Sequence, residues 1–446
     1  MADRVNLVND RTSTPHGVNL DPWLGHYADR TSGLSQSEVR ALFAVVSRPE
    51  VVSLAGGMPY VRALPDELVT GALDRVMRDQ GPTALQYGSG QGVPALREQI
   101  LGIMALEGIT GSVDDVVVTT GSQQALDLVT KLFINPGDVV LVEAPSYLGA
   151  IGIFRSYQAD IVHVVMDEDG LVPEALEVAI TDCKAAGKPI KFLYTIPNFH
   201  NPGGVTLSAE RRPRILEICK RNNILVLEDN PYGLLSFDEP VPPALRALDD
   251  EGVIYLGSFS KTFAPGFRVG WALAPHAIRE KLVLAAEAAI LCPSSFSQLA
   301  IHEYLNGADW MGQIQSFRGV YRERRDAMIT ALNEHLPELS WNVPNGGFYV
   351  WVGLPEELDS KAMLPRAVTE LVAYTPGTAF FADGTGQHNM RLSFCYPTPE
   401  NINIGIRRLA TVIQGERDLL ETFKGTGSLK PIAGSDSVIA PPPHLN

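Results

Sequence analysis

The sequence predicts an α/β protein: a large domain on a mostly parallel, seven-stranded sheet covered by helices, followed by a smaller α+β domain. Three observations carry that expectation. Short runs rich in β-branched residues recur up to about residue 273, stretches with helical periodicity separate most of them, and the alternation stops near residue 310. Nearly continuous apolar strands alternating with amphipathic helices belong to sheets buried on both faces, because an exposed face would put a polar residue at every second position.

In order, strands are expected at "DVVVTT" (115–120), "DVVLVE" (138–143), "DIVHVVM" (160–166), "KFLYTI" (191–196), "ILVLED" (224–229), "VIYLGS" (253–258) and "RVGWAL" (268–273). Helices are expected at 122–134, 173–186 and 208–222. The link between the last two strands is too short for a crossover helix, so one of that pair should run antiparallel. Beyond residue 310 come a long helix (about 311–336), a short strand pair around "GGFYVWV" (346–352) and "MRLSFCY" (390–396). The chain thus divides into a partly flexible arm (1–33), a mobile segment joining the small domain (34–60), a large domain (61–309) and a small domain (310–415). A Pro-, Gly- and Ser-rich tail (416–446) is expected to be loose.

The 446 residues are 45% hydrophobic and 20% charged, with a net charge of −15 spread along the chain. Dispersed acidity argues against nucleic acid or an anionic membrane as partner. Cys183, Cys219, Cys292 and Cys395 lie far apart without a C-x-x-C pair, and read as reduced thiols rather than a disulfide frame or zinc site. The opening "MADRVNLVNDRTSTPHG" lacks the apolar stretch of a secretory signal and no run reaches the length of a membrane span, so the expected compartment is the cytoplasm.

Open α/β sheets bind ligands beyond the carboxyl ends of their strands. Four such ends here carry unusual polar residues. "DVVVTT" runs into "GSQQALDL", where Ser122 and Gln123 open a helix; this is a phosphate site or an ordinary Ser cap. "KFLYTI" leads to "PNFHNPGG" and Asn201, a turn in any case. "ILVLED" ends on Asp229, with Tyr232 three residues on; a carboxylate at a buried strand end needs a cationic or N–H partner unless it caps a helix. "VIYLGS" leads to "FSKTFAPGFR", which places Ser258, Lys261 and Arg268 in one loop. Lys261 is a solvated loop residue, a phosphate holder or a nucleophile; the spacing is wrong for a P-loop. "GSGQG" (88–92) follows no strand, so it is a poor dinucleotide fingerprint, and no H-E-x-x-H or clustered His/Cys set points to a metal. Taken together, the four ends suit an aromatic cation with a phosphate arm and an aldehyde, which describes pyridoxal 5'-phosphate.

At these motifs the chain resembles fold-type I, class I/II aminotransferases, most closely the branch with 2-aminoadipate and broad-range aromatic or branched-chain enzymes. The matches span about 34–415: "SLAGGMP", "LQYGSGQGVPALRE", "TTGSQQALDL", "EAPSY", "PNFHNPGG", "EDNPYGLL", "GSFSKTFAPGFRVGW" and "MRLSF". The resemblance implies that Lys261 bonds to the cofactor aldehyde and, once freed, moves a proton between the substrate Cα and cofactor C4′. A lysine among cations and apolar groups has a lowered pKa, which agrees. It implies that Asp229 pairs with the pyridine N–H, that Asn201 and Tyr232 bond the ring oxygen, and that Tyr147 stacks on the ring. Ser122, Gln123, Ser258 and Arg268 would hold the phosphate, with Tyr87 added from the neighbouring subunit of a homodimer with shared sites. Arg391 would fork onto the substrate α-carboxylate under the backbone of Gly57, and Arg40 reads either as a selector for a distal carboxylate or as a solvent-facing helix residue. The implied reaction is ping-pong transfer of an α-amino group to 2-oxoglutarate. A β-lyase, decarboxylase or cyclopropane-forming synthase would need the same lysine. The same resemblance covers the effector half of certain transcription regulators, but no basic helix-turn-helix segment precedes residue 34.

Overall fold

Valine, isoleucine and leucine fill both faces of the central strands, and the sheet they form is covered on both sides. Along Val139–Ala144, Val140 and Val142 join one apolar cluster with Tyr194 and Leu227, while Val139 and Leu141 join another with Leu193 and Val226. That alternation is the two-residue period of a strand with no polar face to show. Helices Pro173–Ala185 and Arg211–Arg221 close the second face through Leu176, Ile180 and Ile215. Ser122–Phe133 contributes Leu126 and Val129 to the first. The computed structural model describes residues 21–34 and 48–423.

All seven expected strands form, in the spatial order Val116–Thr119, Gly270–Leu273, Val253–Ser258, Leu225–Asp229, Ile190–Thr195, Val139–Ala144 and Asp160–Asp167. The pairings from Val253–Ser258 through to Asp160–Asp167 are parallel. Gly270–Leu273 is the antiparallel member, running against both of its neighbours. The sheet has eight strands rather than seven. Gly170–Leu171 folds back antiparallel on Met166 and Asp167 after a tight turn, and two residues are too few to give a readable period.

Beyond residue 310 the helix Trp310–His335 and a four-stranded antiparallel sheet follow, with Tyr349–Gly353 and Asn389–Ser393 paired at its centre. Val52–Ser53 pairs in parallel with Val372–Ala373, and the Ser393 amide donates to Leu54 O at 2.7 Å, so the chain around residue 53 is built into this part. The last described helix, Pro399–Phe423, continues past residue 415 and corrects the expectation of a loose tail from 416. Ile402, Ile406, Leu409, Val412 and Ile413 give it a buried apolar stripe, and its final turns extend a helix already anchored there. No helix among the described residues is long and apolar enough to cross a membrane.

Candidate active site

The carboxyl ends of the parallel strands open into a cavity of about 340 Å³ lined by Ser122, Gln123, Tyr147, Asn201, Asp229, Tyr232, Ser258, Lys261 and Arg268. Gly57 and Arg391 complete it from across the cleft. Of the remaining sequence candidates, Tyr87 is 77% exposed and outside the lining. Residue 40 lies outside the described residues.

One end of the cavity is an anion cradle. Gly121, at φ +82°, occupies the position before the helix Ser122–Phe133, so Ser122 is the first helical residue and no side chain caps the helix. The uncapped amides and the helix dipole favour negative charge there. A Cβ on residue 121 would fall 2.4 Å from Arg268 Nη2, so glycine lets the guanidinium lie against the turn. Among the described residues the Arg268 guanidinium donates only long bonds, 3.3 Å to Thr120 O and 3.4 Å to Pro265 O, and the residue is exposed. Ser258 ends its strand beside this turn, and Ser260 joins the lining.

At the opposite end stands Asp229. Its Oδ2 accepts a 2.8 Å bond from the Tyr194 hydroxyl, whereas Oδ1 is buried with no partner among the described residues. Burial pushes this carboxyl up to about 6, against the opposing pull of Tyr194 and Lys261. An orphaned buried carboxylate oxygen is costly and is expected to meet a donor. Between the two ends lies Lys261, whose Nζ donates to Gly57 O at 3.0 Å. The lysine is part-buried yet surrounded by cavity wall, and desolvation lowers its pKa to about 8, with Arg391 and Arg268 adding to the effect while Cys395 and Asp229 oppose it. At neutral pH roughly a tenth of such amines are unprotonated and nucleophilic.

The far wall is aromatic and cationic. Arg391, 3% exposed, donates to Asn201 Oδ1 (2.8 Å) and Ala55 O (2.6 Å), and its guanidinium lies 4.2 Å from the Tyr349 ring centre. The Tyr147 hydroxyl reaches Gln123 Oε1 at 3.2 Å, and burial followed by the Asp229 charge pushes the phenol up to about 12. A Cβ on Gly57 would fall 1.9 Å from the Tyr349 hydroxyl, so a side chain there would displace that ring. Sequence reasoning missed Tyr194, Tyr349, Met58 and Ser260. Tyr194 had a faint signal, a hydroxyl-bearing side chain inside the apolar run "KFLYTI"; Tyr349 approaches from a different sheet.

An uncapped helix start beside an arginine, a lysine of lowered pKa and a carboxylate with a free buried oxygen suit the phosphate, aldehyde and ring nitrogen of pyridoxal phosphate, at the carboxyl edge of an open α/β sheet. This is a fold-type I pyridoxal-phosphate enzyme. The sequence profile of the family "Aminotransferase class I and II" matches residues 50–409, and the chain belongs to that family. It is 43% identical over 396 residues to an aromatic-amino-acid aminotransferase 1 of Thermococcus litoralis, covering 88% of this chain and 94% of that one. Among solved structures, a Pyrococcus horikoshii kynurenine aminotransferase in complex with PMP superposes with a TM-score of 0.84 at 39% identity, over 87% and 97% of the two chains. An alpha-aminoadipate aminotransferase of Thermus thermophilus, complexed with N-(5'-phosphopyridoxyl)-L-leucine, gives 0.82 at 36% identity, over 89% and 99%. The protein is therefore a pyridoxal-phosphate-dependent aminotransferase acting on amino and 2-oxo acids.

Proposed function

We propose that it transfers the α-amino group of large amino acids, aromatic ones foremost and 2-aminoadipate or branched-chain ones beside them, to 2-oxoglutarate. The observation that carries this reading is the setting of Arg391, a buried guanidinium backed by Tyr349 and Phe380 that offers one carboxylate seat against an aromatic wall. The names of the relatives point the same way.

Bound pyridoxal phosphate supplies an aldehyde for the amino group and a cationic ring that draws electrons from the substrate Cα. The chain's own residues do the rest. Ser122, Gln123, Ser258 and Arg268 would hold the phosphate. Asp229 would accept from the ring nitrogen on its free Oδ1, Asn201 and Tyr232 would orient the ring oxygen, and Tyr147 would lie against the ring. Lys261 would hold the aldehyde end and serve as the base that moves the proton at the substrate Cα, a task suited to an amine whose pKa is lowered to about 8. Arg391 orients the α-carboxylate, and Gly57 closes over it.

The exposed Tyr87, with Leu85, Leu284, Ile290 and Leu291 also exposed, fits a homodimer in which Tyr87 serves the partner's site. Four unpaired cysteines agree with a reducing cytoplasm. The small domain would comprise 34–60 with 310–415, extended by the helix to Phe423.

A panel of amino acids, each mixed with stoichiometric holoenzyme, tests the reading through conversion of bound cofactor to its amino form. Phenylalanine, tyrosine and kynurenine should convert fastest, and 2-oxoglutarate should regenerate the starting spectrum. Conversion by alanine or aspartate alone would overturn the substrate class. Borohydride should fix the cofactor to the peptide containing Lys261; a label on another lysine would overturn the lysine assignment.

A further inference from the structure

We propose that Glu143 and His200 form a positioning pair for the substrate-carboxylate seat, acting through the turn that carries Asn201. The inference rests on the assignment of Arg391 to the substrate α-carboxylate.

Both side chains are shut from solvent, at 1% exposure for His200 and 2% for Glu143. Glu143 is the penultimate residue of the strand Val139–Ala144, which lies beside the strand leading into the turn. Its Oε1 accepts from Thr195 Oγ1 at 2.7 Å and its Oε2 from the Ile196 amide at 2.8 Å, so the carboxylate grips the end of the neighbouring strand where it enters the turn. The same Oε2 lies 3.0 Å from His200 Nε2, a close polar contact without hydrogen-bond geometry, and Nε2 has no hydrogen-bond partner among the described residues. On the far side of the ring the Gly203 amide donates to Nδ1 at 3.1 Å. Because Nδ1 accepts, the ring hydrogen belongs on Nε2, the nitrogen beside the carboxylate.

The turn is held at three further points. His200 N–H donates to Val205 O at 2.8 Å, Gly204 N–H to His200 O at 2.6 Å, and Phe199 N–H to Thr206 Oγ1 at 3.2 Å. Asn201 therefore projects from a rigid loop whose interior polar anchor is His200. Its Oδ1 receives Arg391 Nη1 at 2.8 Å and fixes one prong of the guanidinium fork. The other prong rests on Ala55 O and Thr375 Oγ1. A buried carboxylate and imidazole are a poor way to gain stability, since an apolar pair of similar volume generally does as well. What they provide is direction, because the bonds from Thr195, Ile196 and Gly203 fix angles that packing alone leaves loose.

The test uses holoenzyme carrying Glu143→Gln, His200→Asn or His200→Gln, with Arg391→Lys as reference. Asn keeps an acceptor for Gly203 and loses the carboxylate; Gln keeps a donor for Glu143 and loses the acceptor. Each variant should raise the KM for the amino donor about tenfold, the worth of one bond to a charged group. The Kd for the unreactive acid 3-phenylpropionate, measured by calorimetry, should rise equally. Retention of cofactor on dialysis should stay at the parent level, because the phosphate contacts lie outside this turn, and any fall in kcat should be smaller than the change in KM and Kd. A lowered melting temperature with KM and Kd unchanged would overturn the proposal and leave the pair a structural one. Arg391→Lys should weaken 3-phenylpropionate far more than any of the three. If it does not, the seat itself has been misassigned and the pair's role falls with it, a result distinct from failure of the pair alone. Should His200→Asn not fold, Glu143→Gln preserves shape and carries the same comparison.

Discussion

Glu228 and Asp229 are consecutive residues on one strand, both buried, and they face opposite sides of the sheet. Glu228 is saturated: its two oxygens accept from the amides of Leu245 and Arg246 at 3.0 and 2.8 Å, capping the short helix Leu245–Leu248. Asp229 is half-satisfied, with Tyr194 on one oxygen and nothing on the other. Burial raises the pKa of both. Glu228 thus has both oxygens engaged by the protein, whereas Asp229 keeps one oxygen without a partner among the described residues where the cavity opens. A free buried acceptor that faces a cavity, more than burial or charge, separates the two carboxylates.

The sharpest test of that contrast exchanges the two carboxylates for amides. Asp229→Asn should lower kcat/KM by about 10²–10⁴-fold while phosphate anchoring holds the cofactor nearly as before. Glu228→Gln should cost about 1–3 kcal/mol of stability in a denaturant melt and leave kcat of the folded fraction near the parent value. Reversal of these outcomes would break the distinction.

A smaller effect is expected in the stability of cofactor-free protein. Lys261 titrates near 8 when folded against an ordinary 10.5, so between those values the folded chain binds fewer protons than the unfolded one, and stability rises with pH across that window. Lys261→Met should therefore stabilise the cofactor-free chain by up to about 3 kcal/mol at pH 7, with the gain fading to nothing above 10.5. Melts at pH 7 and 11 would settle it; an equal gain at both would mean packing, not charge, is responsible. The mildest change concerns Arg40. Arg40→Ala should raise the KM for 2-oxoglutarate and 2-aminoadipate several-fold and leave phenylalanine almost unchanged, in initial-rate assays with each substrate varied. Equal losses for both classes would reassign it to structure.

Much of this architecture can be read from the residues. β-branched runs such as "DVVLVE" have one stable use in a two-sided sheet, and the short link before "RVGWAL" dictates its antiparallel direction. Strand-end polar residues can be read for a similar reason, since Asp229 and Lys261 stand out against apolar neighbours. What cannot be read is who meets whom across the fold. Tyr194 reaches Asp229 only because their strands are adjacent, and the order of strands is a tertiary fact. Tyr349 gives no local sign that it will back Arg391, and its strand belongs to another sheet. The eighth strand escapes because two residues carry no pattern.

The antiparallel strand has a kinetic meaning. Lys261 and Arg268 sit in the single loop between Val253–Ser258 and Gly270–Leu273, closed where Ser258 pairs with Gly270. Closing a loop of roughly ten residues takes on the order of 10–100 ns, whereas contacts distant in sequence must first overcome a larger loss of chain entropy. The bond between Arg391 and Asn201, 190 positions apart, is of the second kind. The two cations therefore share a loop closed by a local contact, whereas the carboxylate seat joins residues 190 and 336 positions apart and carries the larger entropic cost of closure.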